Sequence, residues 1–200
     1  MEEKGRYMRR VDTVKIRIGF FLSAFVLGAM LSASGWAAEV WVTNMKSGDV
    51  YVIDPASLEV VAIIPAGKGA HNVVISADGR LAFVANVGAN SVTIIDAVAK
   101  TVLGNVATGT KTHDVSLSPE GSLAVASNVG EGTITLIDIA QRTAIHTMPT
   151  DEKAIMSLFS PDGKRLFVAN AGAATISVVD VGTREVTKTL PGGRGMMAFV

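Results

Sequence analysis

The chain has 200 residues, with 18 basic and 18 acidic side chains and no cysteine. The lack of cysteine excludes disulfides, thiolate metal sites and covalent attachment of a c-type haem. Six of the basic and three of the acidic residues lie in residues 1–37, so the remainder carries 12 basic and 15 acidic residues, without a basic stripe. This balance argues against nucleic acid as a partner.

The first 37 residues differ from the rest of the chain. A basic start is followed by an apolar run from Ile18 to Leu31 and then by small residues up to Ala38. This order predicts a secretory signal peptide over residues 1–37, and hence a periplasmic or secreted protein. The alternative is an uncleaved membrane anchor, because 18–38 is nearly long enough to span a bilayer. Membrane contact would then be limited to this segment.

Residues 38–200 repeat themselves with a period of 42 residues. The landmarks that recur are Asn44, Asn86, Asn128 and Asn170; Asp54, Asp96, Asp138 and Asp180; Ser76, Ser118 and Ser160; and Gly79, Gly121 and Gly163. A period of about 40–45 residues built of short strands is typical of a β-propeller, with one blade per repeat. Since the same Asp recurs in every repeat, we expect it to cap a turn and not to act in catalysis.

Each repeat contains four short runs rich in Val, Ile, Thr and Phe. In the second repeat they are 72–76, 81–86, 91–96 and 101–103, and this composition predicts half-buried strands. Gly79 and its equivalents can supply the positive φ that closes the first hairpin of each repeat. The sequence therefore predicts an all-β propeller of four-stranded antiparallel blades.

About four blades are expected, in an incomplete ring. The first repeat begins at its second run, Val40 to Asn44, and so lacks the innermost strand. Met196 to Val200 look like the innermost strand of a further blade. That strand could complete the first blade and close a four-bladed ring, but we favour a chain that stops in mid-strand, as a truncated reading frame would.

The strings Val42-Thr43-Asn44, Val84-Ala85-Asn86 and Val168-Ala169-Asn170, each followed by a strand that ends in Asp, resemble the YVTN-type β-propeller repeat. The run Ser-Pro-Asp-Gly-Lys at 160–164 is typical of it too. The resemblance implies that residues 38–200 are a YVTN-type propeller segment. Such repeats serve surface-layer proteins, periplasmic binding proteins and cofactor enzymes alike, so the resemblance implies a fold more than a function.

Two of the three histidines occupy one position of the repeat. His71 and His113 are 42 residues apart, just after the loop that leads from one blade to the next, and Ile155 fills the same position in the following repeat. Such loops lie on one face of a propeller, where ligands bind. We expect exposed imidazoles at an open rim, whose loss costs little stability. The alternative is that histidine is merely tolerated there.

The third histidine, His146, falls in an outermost strand, where a solvent-facing edge position is expected.

Paired histidines at the start of successive inner strands, one of them followed by Asp as in His113-Asp114, resemble the distal histidines of the haem-d1-containing nitrite reductases and related d1-type propellers. This second resemblance implies that haem d1 or another tetrapyrrole is the cofactor and that His71 and His113 lie beside it. The proximal histidine of that family has no match in this sequence.

A cation recurs near the same loop in every repeat, as Lys68, Lys111, Lys153 and Arg194. A ring of cations would favour an anionic small molecule, whereas the alternative is a solvated charged loop.

No motif of a hydrolase, metalloprotease, phosphate loop or EF-hand is present. The sequence thus predicts an exported binding or scaffold module with a small-molecule or protein partner, not an enzyme in itself. The alternative is part of a d1-type tetrapyrrole-binding propeller linked to nitrite or other respiratory redox chemistry.

Overall fold

The computed structural model describes residues 39–197, so the predicted signal peptide lies outside the described residues. The strands within them are β1 (Val40–Asn44), β2 (Asp49–Asp54), β3 (Glu59–Pro65), β4 (Ala70–Ile75), β5 (Leu81–Asn86), β6 (Ser91–Asp96), β7 (Thr101–Ala107), β8 (Thr112–Leu117), β9 (Leu123–Asn128), β10 (Thr133–Asp138), β11 (Thr143–Pro149), β12 (Ala154–Phe159), β13 (Arg165–Asn170), β14 (Thr175–Asp180) and β15 (Glu185–Pro191). No helix in this part of the chain has the length and apolar character needed to cross a bilayer.

The strands form four antiparallel sheets, which confirms the predicted blades. Blade 1 is β1-β2-β3, blade 2 is β4 to β7, blade 3 is β8 to β11 and blade 4 is β12 to β15, each in chain order. The inner strands β4, β8 and β12 contact one another in succession, and β1 contacts β4. Within residues 39–197 blade 1 has the three strands β1 to β3, without the innermost strand, as the sequence predicts. Blade 4 does not pack extensively on blade 1 in this part of the chain, so the described blades do not form a closed ring.

Strand ends differ from prediction in the inner and outer strands. The inner strand of blade 2 starts at Ala70 and the outer strand runs on to Ala107, where the composition predicted 72–76 and 101–103. The outer strand continues past a register shift opposite Ile94 and Ile95. The extra residue is Leu103, since Gly104 pairs with Ile94 and Val102 pairs with Ile95, and the ladder continues beyond this bulge to Ala107.

The repeated turn residues act as their chemistry predicts. Gly79, Gly121 and Gly163 have φ of 68°, 74° and 69°, a conformation that glycine adopts without steric cost. Asp96 Oδ1 accepts hydrogen bonds from the backbone N–H of Val98 at 3.0 Å and of Ala99 at 2.8 Å. The recurring Asp is thus a turn cap.

The core lies between successive blades. Phe83 and Ile94 of blade 2 are fully buried in one cluster with Val115, Ala124 and Ile137 of blade 3. A second cluster joins blades 3 and 4, and a third joins blades 1 and 2. Because each blade buries one face on its neighbour, the packing fixes how far apart equivalent residues of adjacent inner strands lie.

Candidate functional site

The inner strand of each complete blade contains a β-bulge at its second residue. On β4 the ladder passes from Ala70, paired with Asn86, directly to Asn72, paired with Ala85, so His71 is the extra residue. The same shift makes His113 the extra residue on β8 and Ile155 that on β12. A bulge removes a residue from the ladder and redirects its side chain. The histidine position of the repeat is therefore a structurally distinct one.

The bulged carbonyl groups receive hydrogen bonds from the preceding blade. His71 Nδ1 lies 3.0 Å from the carbonyl oxygen of His113, and His113 Nδ1 lies 3.1 Å from that of Ile155. In blade 1 the hydroxyl of Thr43 donates to the carbonyl oxygen of His71 at 2.6 Å. A carbonyl oxygen can only accept, so Nδ1 carries the hydrogen in both rings.

This tautomer determines what the other ring nitrogen can do. In a neutral imidazole with hydrogen on Nδ1, Nε2 keeps its lone pair. Nε2 of His71 and of His113 forms no hydrogen bond within residues 39–197, and neither atom is completely buried. Each ring is thus held by one nitrogen and can offer the other to a ligand.

The two imidazoles face each other closely. Their ring centroids are 4.0 Å apart, with the planes inclined by 40°, and both side chains are half-buried instead of exposed at an open rim. Burial lowers the pKa of His113, and the charge of His71 lowers that pKa further, against the opposing effect of the bond to Ile155. A second proton on the pair is therefore disfavoured.

The pair lies at the end of the blades where the interblade loops and the second hairpins meet. Two hydrogen bonds join the loop before His71 to the second hairpin of blade 2. The N–H of Gly88 donates to the carbonyl oxygen of Lys68, and the N–H of Val87 donates to the carbonyl oxygen of Gly69, both at 3.0 Å. In blade 3, Lys111 occupies the position of Gly69, with φ of 57°. The structure therefore places Lys68 and Lys111 in successive loops beside the histidines, both exposed, but one position apart in the repeat.

A pocket of about 520 Å³ opens between the loops of blades 3 and 4. Its lining includes Lys111 and Lys153, together with three carboxylates, Glu131, Asp151 and Glu152. The carboxylates outnumber the cations, so the charges of this pocket do not by themselves attract an anion. Lys68 and Arg194 are not part of its lining.

Sequence reasoning used Asp114 only as part of a family resemblance and assigned no contact to the residue after each histidine. Asn72 Oδ1 accepts a bond from Val115 N at 3.3 Å, and Asp114 Oδ2 accepts one from Ser157 N at 3.4 Å. Both bonds tie one inner strand to the next. Burial raises the pKa of Asp114 to about 6, although the bond from Ser157 and the charge of His71 oppose the rise. The available signal was a polar residue after each histidine of the repeat.

The third histidine is not part of this arrangement. His146 lies on β11, the outermost strand of blade 3, and pairs across the ladder with Leu136. It is half-buried. Its distance from the inner strands makes it a matched control for the two inner histidines.

Comparison with known proteins identifies one family whose profile matches this chain. The family profile described as cytochrome D1 heme domain matches residues 39–161. Among solved structures, hydrazine synthase of Kuenenia stuttgartiensis is similar, with a TM-score of 0.71 and 21% identity over 76% of this chain and 45% of that chain. The chain thus spans less than half the length of that structure, and the likeness is one of fold. No curated protein sequence matches the chain.

Proposed function

Since the chain belongs to the cytochrome D1 heme domain family, we propose that it is part of an exported d1-type propeller that binds haem d1 or another tetrapyrrole and takes part in nitrite or other respiratory redox chemistry. The observation that carries the proposal is the pair of bulged histidines, His71 and His113, each held through Nδ1 with Nε2 left for a ligand. The signal peptide interpretation of residues 1–37 supports export.

The residues present fit one side of such a cofactor. Two imidazoles on adjacent inner strands suit the distal side, where they would meet a small anion and not the iron itself. Within residues 39–197 no group of three or more His, Cys, Asp and Glu residues could hold a metal ion, and His146 lies on an outer strand. When bound, the tetrapyrrole would supply the redox chemistry, which no described side chain offers.

The histidines would bind and orient the anion. When one of the two rings takes up an additional proton, its imidazolium Nε2–H can donate a hydrogen bond to an anionic oxygen of the ligand. Nε2 of the other, neutral ring can accept a hydrogen bond from a protonated oxygen of the ligand. The Nδ1 bonds fix both rings before the ligand arrives, which lowers the entropy cost of binding. Lys68 and Lys111, exposed in the adjoining loops, would add an attractive field.

The test uses the full chain, with ferric haem as the probe and nitrite as the anion. We expect an absorbance spectrum of bound haem and a change in that spectrum on addition of nitrite. In His71→Ala and His113→Ala the nitrite affinity should fall by about 5- to 150-fold, as expected for about 1–3 kcal/mol per unmade hydrogen bond. His146→Ala is the control and should behave as wild type. Equal nitrite affinity in all four proteins would contradict the role of the pair.

A scaffold or binding module without a tetrapyrrole is the second candidate. The observation that favours it is that both Nδ1 atoms already serve as bonds between blades. Removing either ring leaves a bulged carbonyl without its donor and should cost about 1–3 kcal/mol of stability. If His71→Ala and His113→Ala lower stability in this way while haem binds none of the proteins, the scaffold function is the better account.

A further inference from the structure

Blade 1 presents an apolar face that no other described blade covers. Val40 and Val42 of β1 are exposed by 48% and 39%. The residues at these two positions in the later blades are also apolar, and they are completely buried against the preceding blade: Ala82, Val84, Ala124, Ala126, Leu166 and Val168. Blade 1 therefore carries the residues of an interblade contact without that contact, and we call this surface the blade 1 open face.

Blade 4 presents the opposite half of such a contact. Phe167, Ile176 and Leu190 are half-buried. The residues at their positions in blades 2 and 3 are exposed by at most 5%, because the next blade covers them: Phe83, Val92, Val106, Val125, Ile134 and Met148. We call this surface the blade 4 open face. Since blade 4 does not pack extensively on blade 1 within residues 39–197, both apolar faces are free to bind a partner.

The two open faces match each other. In the three contacts between the described blades, the face that corresponds to the blade 4 open face packs on the face that corresponds to the blade 1 open face. A contact between two different faces is heterologous, and it closes into a ring where the rotation allows. Two copies with four blades each provide eight blades, within the roughly four to eight that are typical of propellers, and three copies would exceed that range.

A pair of residues at the rim of each contact carries a charge. Glu39 of blade 1 forms an ion pair with Lys100 of blade 2 at 2.5 Å. At the next contact, Leu81 of blade 2 and Arg142 of blade 3 occupy the same two positions of the repeat and line one pocket. In both cases the later blade supplies the cation, and the earlier blade supplies a carboxylate or a leucine.

Both open faces depart from the repeat at this pair. Blade 4 has Arg165 where the earlier blades have Glu39, Leu81 and Leu123. Blade 1 has Leu58 where the later blades have Lys100, Arg142 and Arg184. Leu58 is exposed by 80%, and its φ of 59° matches the 58°, 56° and 59° of those cations. A cation at position 58 would oppose Arg165 in a contact between the open faces, and like charges disfavour association. Leu58 removes this repulsion.

We propose that two copies of this chain join head to tail and complete an eight-bladed ring, with the blade 4 open face of each copy on the blade 1 open face of the other. At both contacts Arg165 of one copy lies against Leu58 of the other, which reverses the order of Leu81 and Arg142. The proposal goes beyond the proposed function and does not require a tetrapyrrole.

The test uses the protein produced from the full sequence, without added haem. Sedimentation velocity over a range of concentrations should show a species of two chains, with the mass of one chain taken from mass spectrometry. Leu58→Arg places a cation against Arg165 and should raise the dissociation constant of the dimer by about 10-fold or more. Gln141→Arg adds the same charge to an exposed turn of blade 3 and is the control, which should associate as wild type does.

A compensating variant tests the pairing itself. Leu58→Arg combined with Arg165→Leu restores a leucine and a cation in the order found at blades 2 and 3, and should return the dissociation constant to that of wild type. Both changes introduce residues that the repeat already uses at these positions. Should Leu58→Arg fail to fold, Val42→Glu on the blade 1 open face takes its place and should give single chains. A wild-type monomer at every concentration, a species of three or more chains, a single variant as dimeric as wild type, or a double variant without recovery would overturn the proposal.

Discussion

Replacing Asp114 by asparagine should remove a pH dependence from the free energy of unfolding. Burial raises the pKa of this carboxyl from 3.8 to about 6 in the folded chain. The folded state therefore binds the proton more tightly than the unfolded state, and the resulting stabilisation is fully present below pH 3.8 and lost as the pH rises through 6. A difference of about two pKa units corresponds to about 3 kcal/mol.

Asparagine is a suitable replacement because the repeat already uses it. Asn72 occupies the same position in blade 2 and accepts the N–H of Val115 at 3.3 Å, so an amide at 114 can accept the N–H of Ser157 in the same way. The variant should lose the titration while it keeps the bond between the strands. Relative to wild type it should therefore gain stability as the pH rises, by up to about 3 kcal/mol above pH 6.

Denaturant unfolding at a series of pH values from about 4 to 7 measures this difference, because the free energy extrapolates linearly with denaturant. His113 contributes a slope of opposite sign, since its lowered pKa makes protonation unfavourable in the folded state. That slope is present in both proteins, so the difference between them reports mainly on Asp114. Parallel stability curves for wild type and Asp114→Asn would refute the argument.

Two further predictions concern packing. A Cβ at Gly67 would lie 2.8 Å from the side chain of buried Asn86, so Gly67→Ala should destabilise the protein by about 1–3 kcal/mol. The control in thermal unfolding is Gly104→Ala, which has open space at its Cβ; an equal loss of stability in both variants would contradict the steric argument. Phe83 is fully buried between blades 2 and 3, so Phe83→Ala should cost about 3–5 kcal/mol in denaturant unfolding. Val98→Ala, exposed by 67%, should cost almost nothing.

Much of the fold could be predicted because it is local. The period of 42 residues, the hairpin at Gly79 and the cap at Asp96 depend on residues a few positions apart in the chain, and local turn chemistry is legible in residue identity. That His71 and His113 lie at equivalent positions of adjacent blades was also predictable, since they are one repeat apart.

The chemistry of the site depends on contacts between blades. Whether His71 is exposed or half-buried, and which nitrogen it offers, follows from a bulge and from the carbonyl of a residue one whole repeat away. The role of Asp114 likewise depends on Ser157 in the next blade. A single repeat does not encode these contacts, because the packing of one blade on the next sets the distance and angle between equivalent residues. The sequence alone shows which residue types occupy these positions. The tautomer and burial of His71 and His113, and the raised pKa of Asp114, arise only when the inner strands of adjacent blades pack against one another.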